Sequence, residues 1–153
     1  LDAVARGGSR MNAALGHAVA AAAVPQHLVS FLAFDFGLRR VGVASGNRLL
    51  PQATALRTVA ETGDPRWARI AALLREWEPD ALVVGVPFHP DGAEHENTQR
   101  ARRFSRQLHG RFGLPVYEVD ERYSTTEARA EGVRDHDAGA ACIILEQFLR
   151  TLT

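Results

Sequence analysis

The chain has 153 residues, with 18 basic and 18 acidic side chains and no net charge. That length builds one domain with a real core and is short for two. The balanced charge argues against a wholesale nucleic-acid binder while leaving room for a local basic patch, and no apolar run is long enough to span a membrane. All 18 basic residues are Arg, so any phosphate contacts would come from planar, bidentate donors.

Residues 1–27 form an Ala- and Gly-rich extension, with Arg6 and Arg10 ahead of "ALGHAVAAAAV". A signal peptide has this outline. A cut near Ala23 would fall only a few residues before the first core strand, however, and the apolar stretch is mostly Ala. The expected reading is a poorly ordered or helical extension upstream of a start at Met11, followed by one domain over 28–153. The single cysteine, Cys142, excludes an internal disulfide framework and fits a reducing, cytoplasmic location. It lies in an apolar stretch and reads as a small core residue.

Phe31–Gly37 and Val41–Ser45 are expected to pair as a hairpin across Leu38-Arg39-Arg40, with Gly37 supplying freedom at the turn. A third strand is expected at Ala53–Val59. The period then changes: Trp67, Ile70, Ala71, Leu74 and Trp77 share one helical face. "EPD" at Glu78–Asp80 ends that helix, because proline disfavours helix in the residue before it. "ALVVGVP" (Ala81–Pro87) reads as a central strand covered on both faces. A polar loop follows, then a helix over Thr98–His109 and a strand over Leu114–Glu121. "STTEARA" opens a helix with a capping box, Ser124 as cap and Glu127 three residues on. The last helix starts near Asp137. The order β-β-β-α-β-α-β-α-α predicts an α/β domain in which a three-strand meander is extended by parallel strands.

Three acids stand where carboxylates are costly or well aimed. Asp35 lies inside the first strand between Phe34 and Phe36, and an unpaired buried carboxylate costs several kcal/mol or gives up its charge. Glu121 lies just past the last strand. Asp137 falls in the same helical arc as Ala141, Ile144, Leu145 and Phe148, so it points towards the sheet. Each has a plainer reading: Asp35 as a turn acid, Glu121 as a partner of Arg122 or a solvated acid, Asp137 as an N-cap. Together they suggest a cation site, since like charges brought close need one between them. Carboxylate oxygens suit Mg²⁺ or Mn²⁺, and a pair of such ions supports phosphodiester hydrolysis.

"DFGLRRVGVA", "VVGVPFHPDGAE", "DERYSTTEA" and "DAGAACIIL", in this order and spacing, resemble the YqgF family. These are small bacterial proteins with an RNase H-like fold, described as Holliday-junction resolvases and as nucleases that trim precursor 16S ribosomal RNA. The likeness covers about Phe31 to Leu149. It implies Asp35, Glu121 and Asp137 as an acidic, metal-binding and catalytic triad, and a mixed five-stranded sheet with the first strand central. Asn47 stands where the family often carries an acid.

Nucleic-acid contacts are expected from Arg39 and Arg40 at the hairpin turn and from Arg102, Arg103 and Arg106 on one side of their helix. Arg122 beside Glu121 could hold a phosphate, as could the helix start at Ser124 and Thr125. His89 and His95 lack the cysteines or further ligands of a zinc site. The sequence therefore points to a metal-dependent nuclease, with structured precursor rRNA as substrate and ribosomal particles as candidate partners. The alternatives are a resolvase of branched DNA, which would be a two-fold dimer and not a monomer, and a non-catalytic binding module on the same fold. No membrane partner is expected.

Overall fold

Alternation along the first strand sets the layers. In Ser30–Phe36 (β1), Phe31 and Ala33 point to one side of the sheet and Leu32 and Phe34 to the other, and all four are buried. The computed structural model describes residues 24–121 and 136–152. Within them β1 is followed by β2 (Val41–Asn47), β3 (Leu50–Val59), α1 (Gly63–Trp77), β4 (Ala81–Val86), α2 (Thr98–Phe112), β5 (Val116–Asp120) and α3 (His136–Arg150). The sheet order is β3-β2-β1-β4-β5. β1 is central, antiparallel to β2 and parallel to β4, and β5 joins β4 in parallel. The expected mixed five-stranded sheet is therefore present. The capping-box helix expected at Ser124 and the extension up to residue 23 lie outside the described residues.

Each sheet face has its own core. α3 covers one face, burying Ala141, Ile144, Leu145, Phe148 and Leu149 against Phe31, Ala33, Ala44, Ala81 and Val83. Phe148 sits edge-on to Phe31, ring centroids 5.1 Å apart. Cys142 packs at the margin of this core as expected. Its thiol donates to the Ala53 carbonyl (3.1 Å), and burial, reinforced by the nearby Glu146 carboxylate, pushes its pKa up to about 11. α1 and α2 cover the other face, with Phe104 ringed by Phe34, Phe36 and Trp67. β4 is buried at all six positions, as a strand covered on both sides must be.

Several local expectations shift. The buried stripe of α1 is Arg66, Ile70 and Leu73, while Trp67, Ala71 and Leu74 only flank it. Trp77 is 44% exposed, because the helix ends there at a left-handed Glu78 before Pro79. β3 begins at Leu50 and runs through Pro51, which an edge strand tolerates. α2 continues to Phe112, three residues beyond the expected end, and stops at Gly113 (φ 71°), a left-handed glycine cap. Gly37 has no positive φ. It is needed for space, since a Cβ there would stand 2.6 Å from the Arg40 carbonyl oxygen.

Two side chains fix the ends of β1. Arg66 is only 7% exposed. It donates through Nη2 to the Leu38 carbonyl (3.0 Å) and through Nε to the Glu61 carbonyl (2.9 Å), so α1 holds the hairpin turn that carries Arg39 and Arg40. At the other end the Asp80 carboxylate accepts from the backbone N–H groups of Val29 (2.8 Å) and Ser30 (3.1 Å). These bonds hold the Asp80 pKa below its usual value. A depressed carboxylate pKa adds stability that is present above the unfolded value and lost as pH falls through the folded one. Stability should therefore fall on acidification below about pH 4, and Asp80→Asn should remove part of that fall. Urea midpoints measured across pH for both proteins check this; identical pH profiles would refute it.

Candidate active site

The period of two that builds the α3-side core also selects what stands at the end of that face. After Phe31 and Ala33 comes Asp35; after Ala81 and Val83 comes Gly85; after Tyr117 and Val119 comes Glu121. Asp35 pairs with Gly42 of β2. On its other side the β1–β4 register, which ends in Phe34–Val84, brings Gly85 alongside. The central carboxylate is thus flanked by glycine on both neighbouring strands. It is half-buried, where the sequence suggested full enclosure, because neither neighbour has a side chain to cover it.

The glycines also make room for the other two acids. A Cβ at Gly42 would run into the backbone carbonyl of Asp137, so α3 rests its first turn directly on β2. A Cβ at Gly85 would stand 3.1 Å from Glu121 Oε2 and would collide with Ile144. Glu121 is only 4% exposed, and its backbone N–H donates to the Val86 carbonyl (3.1 Å), which continues the β4–β5 ladder one residue past β5. The acids therefore form a row: Asp137 beside β2, Asp35 on β1, Glu121 over β4. Strands lie about 4.8 Å apart, so the row spans about two such spacings, or roughly 10 Å.

Asp137 lies in the first turn of α3, with its side chain 18% exposed. Its Oδ2 pairs with Nε of Arg40 at 3.0 Å, so one expected phosphate contact serves here as a counter-ion. Among the described residues, no three His, Cys, Asp or Glu side chains stand close enough to hold one metal ion. The donor chemistry still fits a hard cation, since the row is all carboxylate oxygen and holds no soft ligand. The His89 and His95 rings lie 4.9 Å apart between centroids, tilted by 45°, in the loop after β4.

The arginines divide. Arg39, Arg103 and Arg106 are exposed. Arg102 is not a freely presented charge: its guanidinium pairs with Glu94 (3.4 Å) and approaches Glu118 (3.9 Å). Burial raises the Glu118 pKa, opposed by Arg102, the Ser105 hydroxyl and Arg106. Arg122, Ser124 and Thr125 lie outside the described residues. Asn47 sits at the far end of β1's pairing, opposite Ser30, and accepts the Leu49 N–H (2.9 Å) to shape the next turn. An amide there leaves the row of acids untouched.

Sequence reasoning does not single out Gly42, Arg66 or Glu118. A signal exists for Gly42, since a lone glycine inside an apolar strand marks a close backbone approach. Arg66 and Glu118 show no such signal.

A family model described as "RuvX: Holliday junction resolvase" matches residues 29–151. The chain belongs to this family. The expected YqgF membership is met under the RuvX name, and with it the enzyme class, a nuclease. Similar proteins include one from Albidiferax ferrireducens, 67% identical over 129 residues (84% of this chain, 83% of the relative). Another, from a Polaromonas species, is 66% identical over 134 residues (86% and 97%). A third, from Paraburkholderia phytofirmans, is 53% identical over 131 residues (81% and 90%). Each carries the name "Putative pre-16S rRNA nuclease". Among solved structures, "T. thermophilus RuvC in complex with Holliday junction substrate" superposes with a TM-score of 0.51 at 17% identity, covering 81% of this chain and 95% of that one. That likeness shows the fold, which is the expected RNase H-like one.

The seat of α3 gives a direct test. Gly42→Ala sets a methyl group against backbone, which cannot rotate away, and overpacking of this kind costs about 1–3 kcal/mol. The urea midpoint should drop accordingly, and any nuclease activity should fall with it as Asp137 is displaced. An unchanged midpoint would show that α3 does not sit as described.

Proposed function

We propose that the chain is a metal-dependent nuclease that trims the 5′ end of precursor 16S rRNA, with Asp35, Glu121 and Asp137 as the residues that hold Mg²⁺ or Mn²⁺. The observation that carries this reading is the row of three carboxylates on one sheet face, opened by Gly42 and Gly85. When bound, such ions supply an activated water and neutralise charge on the leaving oxygen. Asp35, rigid on the central strand, fixes the middle of the site. Glu121, buried over Gly85, is restrained by the β4–β5 ladder. Asp137 is held by the first turn of α3 and pairs with Arg40, whose exposed side chain can turn to a phosphate. Arg39, Arg103 and Arg106 present further guanidinium groups to the backbone of the substrate, and Arg122, Ser124 and Thr125 are proposed alongside them. RNA is favoured over DNA because the relatives at 53–67% identity carry the rRNA name. Ribosomal particles in the cytoplasm are the fitting setting, and among the described residues no helix is long and apolar enough to cross a membrane.

The family description favours a second substrate, a four-way DNA junction. Symmetric cutting of two strands asks for a two-fold dimer. Precursor 16S rRNA and a synthetic four-way junction, each incubated with Mg²⁺, with Mn²⁺ and with EDTA, separate the two. Cleavage of the rRNA alone, by a monomer, is the expected result; cleavage of the junction alone, by a dimer, would replace the rRNA reading.

The metal is worth several kcal/mol of transition-state charge. Asp35→Asn should therefore lower turnover by about a hundredfold or more while the protein stays folded. Asp137→Asn and Asp137→Ser should lower it severely as well, since neither side chain keeps the anionic oxygens that a hard cation favours. Wild-type turnover in either Asp137 variant would remove that residue from the triad, and full activity in EDTA would remove the metal.

Arg103→Ala with Arg106→Ala should weaken binding and flatten its log–log salt dependence by about one unit for each phosphate that is no longer neutralised. A fluorescence-anisotropy salt titration reads this, and an unaltered slope would make that helix face merely solvated.

A further inference from the structure

The loop between β4 and α2 is built as a small hairpin. Phe88 and Glu94 pair across it as an isolated antiparallel bridge. Inside, the His89 N–H donates to the Ala93 carbonyl (2.9 Å), the Gly92 N–H to the His89 carbonyl (2.8 Å), and the Ala93 N–H to Asp91 Oδ1 (2.9 Å). Gly92 turns the chain with φ 91°, a conformation glycine adopts without strain. The foot of the loop is fixed by Thr98, which is fully buried: its hydroxyl donates to the Pro87 carbonyl and accepts the His95 N–H (2.7 Å). The residue before that foot, Val86, accepts the N–H of Glu121.

Arg102 touches both stems of this hairpin. Its guanidinium lies 5.4 Å from the centroid of the Phe88 ring. Nη1 reaches Glu94 at 3.4 Å and Nε faces Glu118 of β5 at 3.9 Å. The side chain is 27% exposed, unlike the open Arg103 and Arg106. One planar group thus bridges the loop, α2 and β5, an arrangement suited to guanidinium, whose separate Nη1 and Nε reach two carboxylates while its face approaches a ring, where an ammonium offers a single point of charge.

We propose that Arg102 is a positioning residue that clamps the 88–94 hairpin beside the Glu121 end of the acid row, and does not itself meet a substrate phosphate. This rests on the nuclease reading and deepens it, since it gives the 88–94 hairpin, with His89, a fixed place next to the Glu121 end of the proposed site.

The test compares the full chain with Arg102→Ala and Arg102→Lys by hydrogen exchange on the free protein, cleavage kinetics and salt-dependent binding. In both variants the amides of His89, Gly92 and Ala93 should exchange about tenfold faster, as expected when a local clamp is removed, with the rest of α2 and β5 unaltered. KM should rise several-fold with kcat changed less, Lys should not rescue, and the salt slope should stay at the wild-type value. The proposal is overturned if Arg102→Lys restores wild-type exchange and KM, if Arg102→Ala flattens the salt slope by about one unit, or if exchange accelerates throughout α2 and β5. If the wild-type protein cleaves neither substrate, the nuclease reading falls, while the exchange arm still decides whether Arg102 holds the loop.

Discussion

The seat of α3 on β2 is the contact on which the rest of this molecule depends. It exists because Gly42 has no side chain where the helix backbone arrives. From that seat α3 lays Ala141, Ile144, Leu145 and Phe148 onto the sheet and closes one of the two cores. The same seat places Asp137 next to the strand pair that carries Asp35. Packing and site are therefore one constraint: a helix that stood off by a methyl group would pack less closely along its length and would move the third acid away from the row.

Gly85 plays the complementary part on β4. It leaves space that Ile144 and the Glu121 carboxylate share. A buried carboxylate over a strand is tolerable only with compensating polar partners or a cation. The ladder bond from Glu121 to Val86 fixes where that charge is held. Arg40, reaching Asp137 from the hairpin turn, supplies positive charge at the opposite end of the row. The turn is itself held by the buried Arg66, so a residue on α1, across the sheet, helps to place a counter-ion on the α3 side.

Zero net charge hides this local order. Acids gather on one face, at the ends of β1 and β5 and at the start of α3, while exposed arginines lie on α2 and at the hairpin turn. An arginine can serve two ends: in the open it offers a phosphate a bidentate partner, and when partly buried it ties structure together. Arg66 does the second, the proposed clamp would give Arg102 the same part, and Arg103 and Arg106 are exposed, as the first requires. Residue type alone does not separate these roles, since Arg102 and Arg103 are sequence neighbours.

The sequence by itself determined the order of the described elements and the mixed sheet, and it singled out the three acids that the fold sets in a row. Alternation in "FLAFDF" and the helical arc through Asp137 and Phe148 are local periodicities, and local periodicity decides which face a residue occupies. The four ordered motifs were enough to indicate the family to which the chain belongs. Only the tertiary structure decided what lies between the acids. That Asp35 is half-open depends on glycines on two other strands. That Arg102 faces Glu94 and Glu118 depends on a loop and a strand that approach it only after folding. That Arg66 is buried depends on two backbone carbonyls, neither of which has a side-chain signature. The same limit explains the shifted stripe of α1: periodicity ranks the faces of a helix by hydrophobicity, but the buried face includes Arg66, which bonds the carbonyls of Leu38 in the hairpin turn and of Glu61 just before α1.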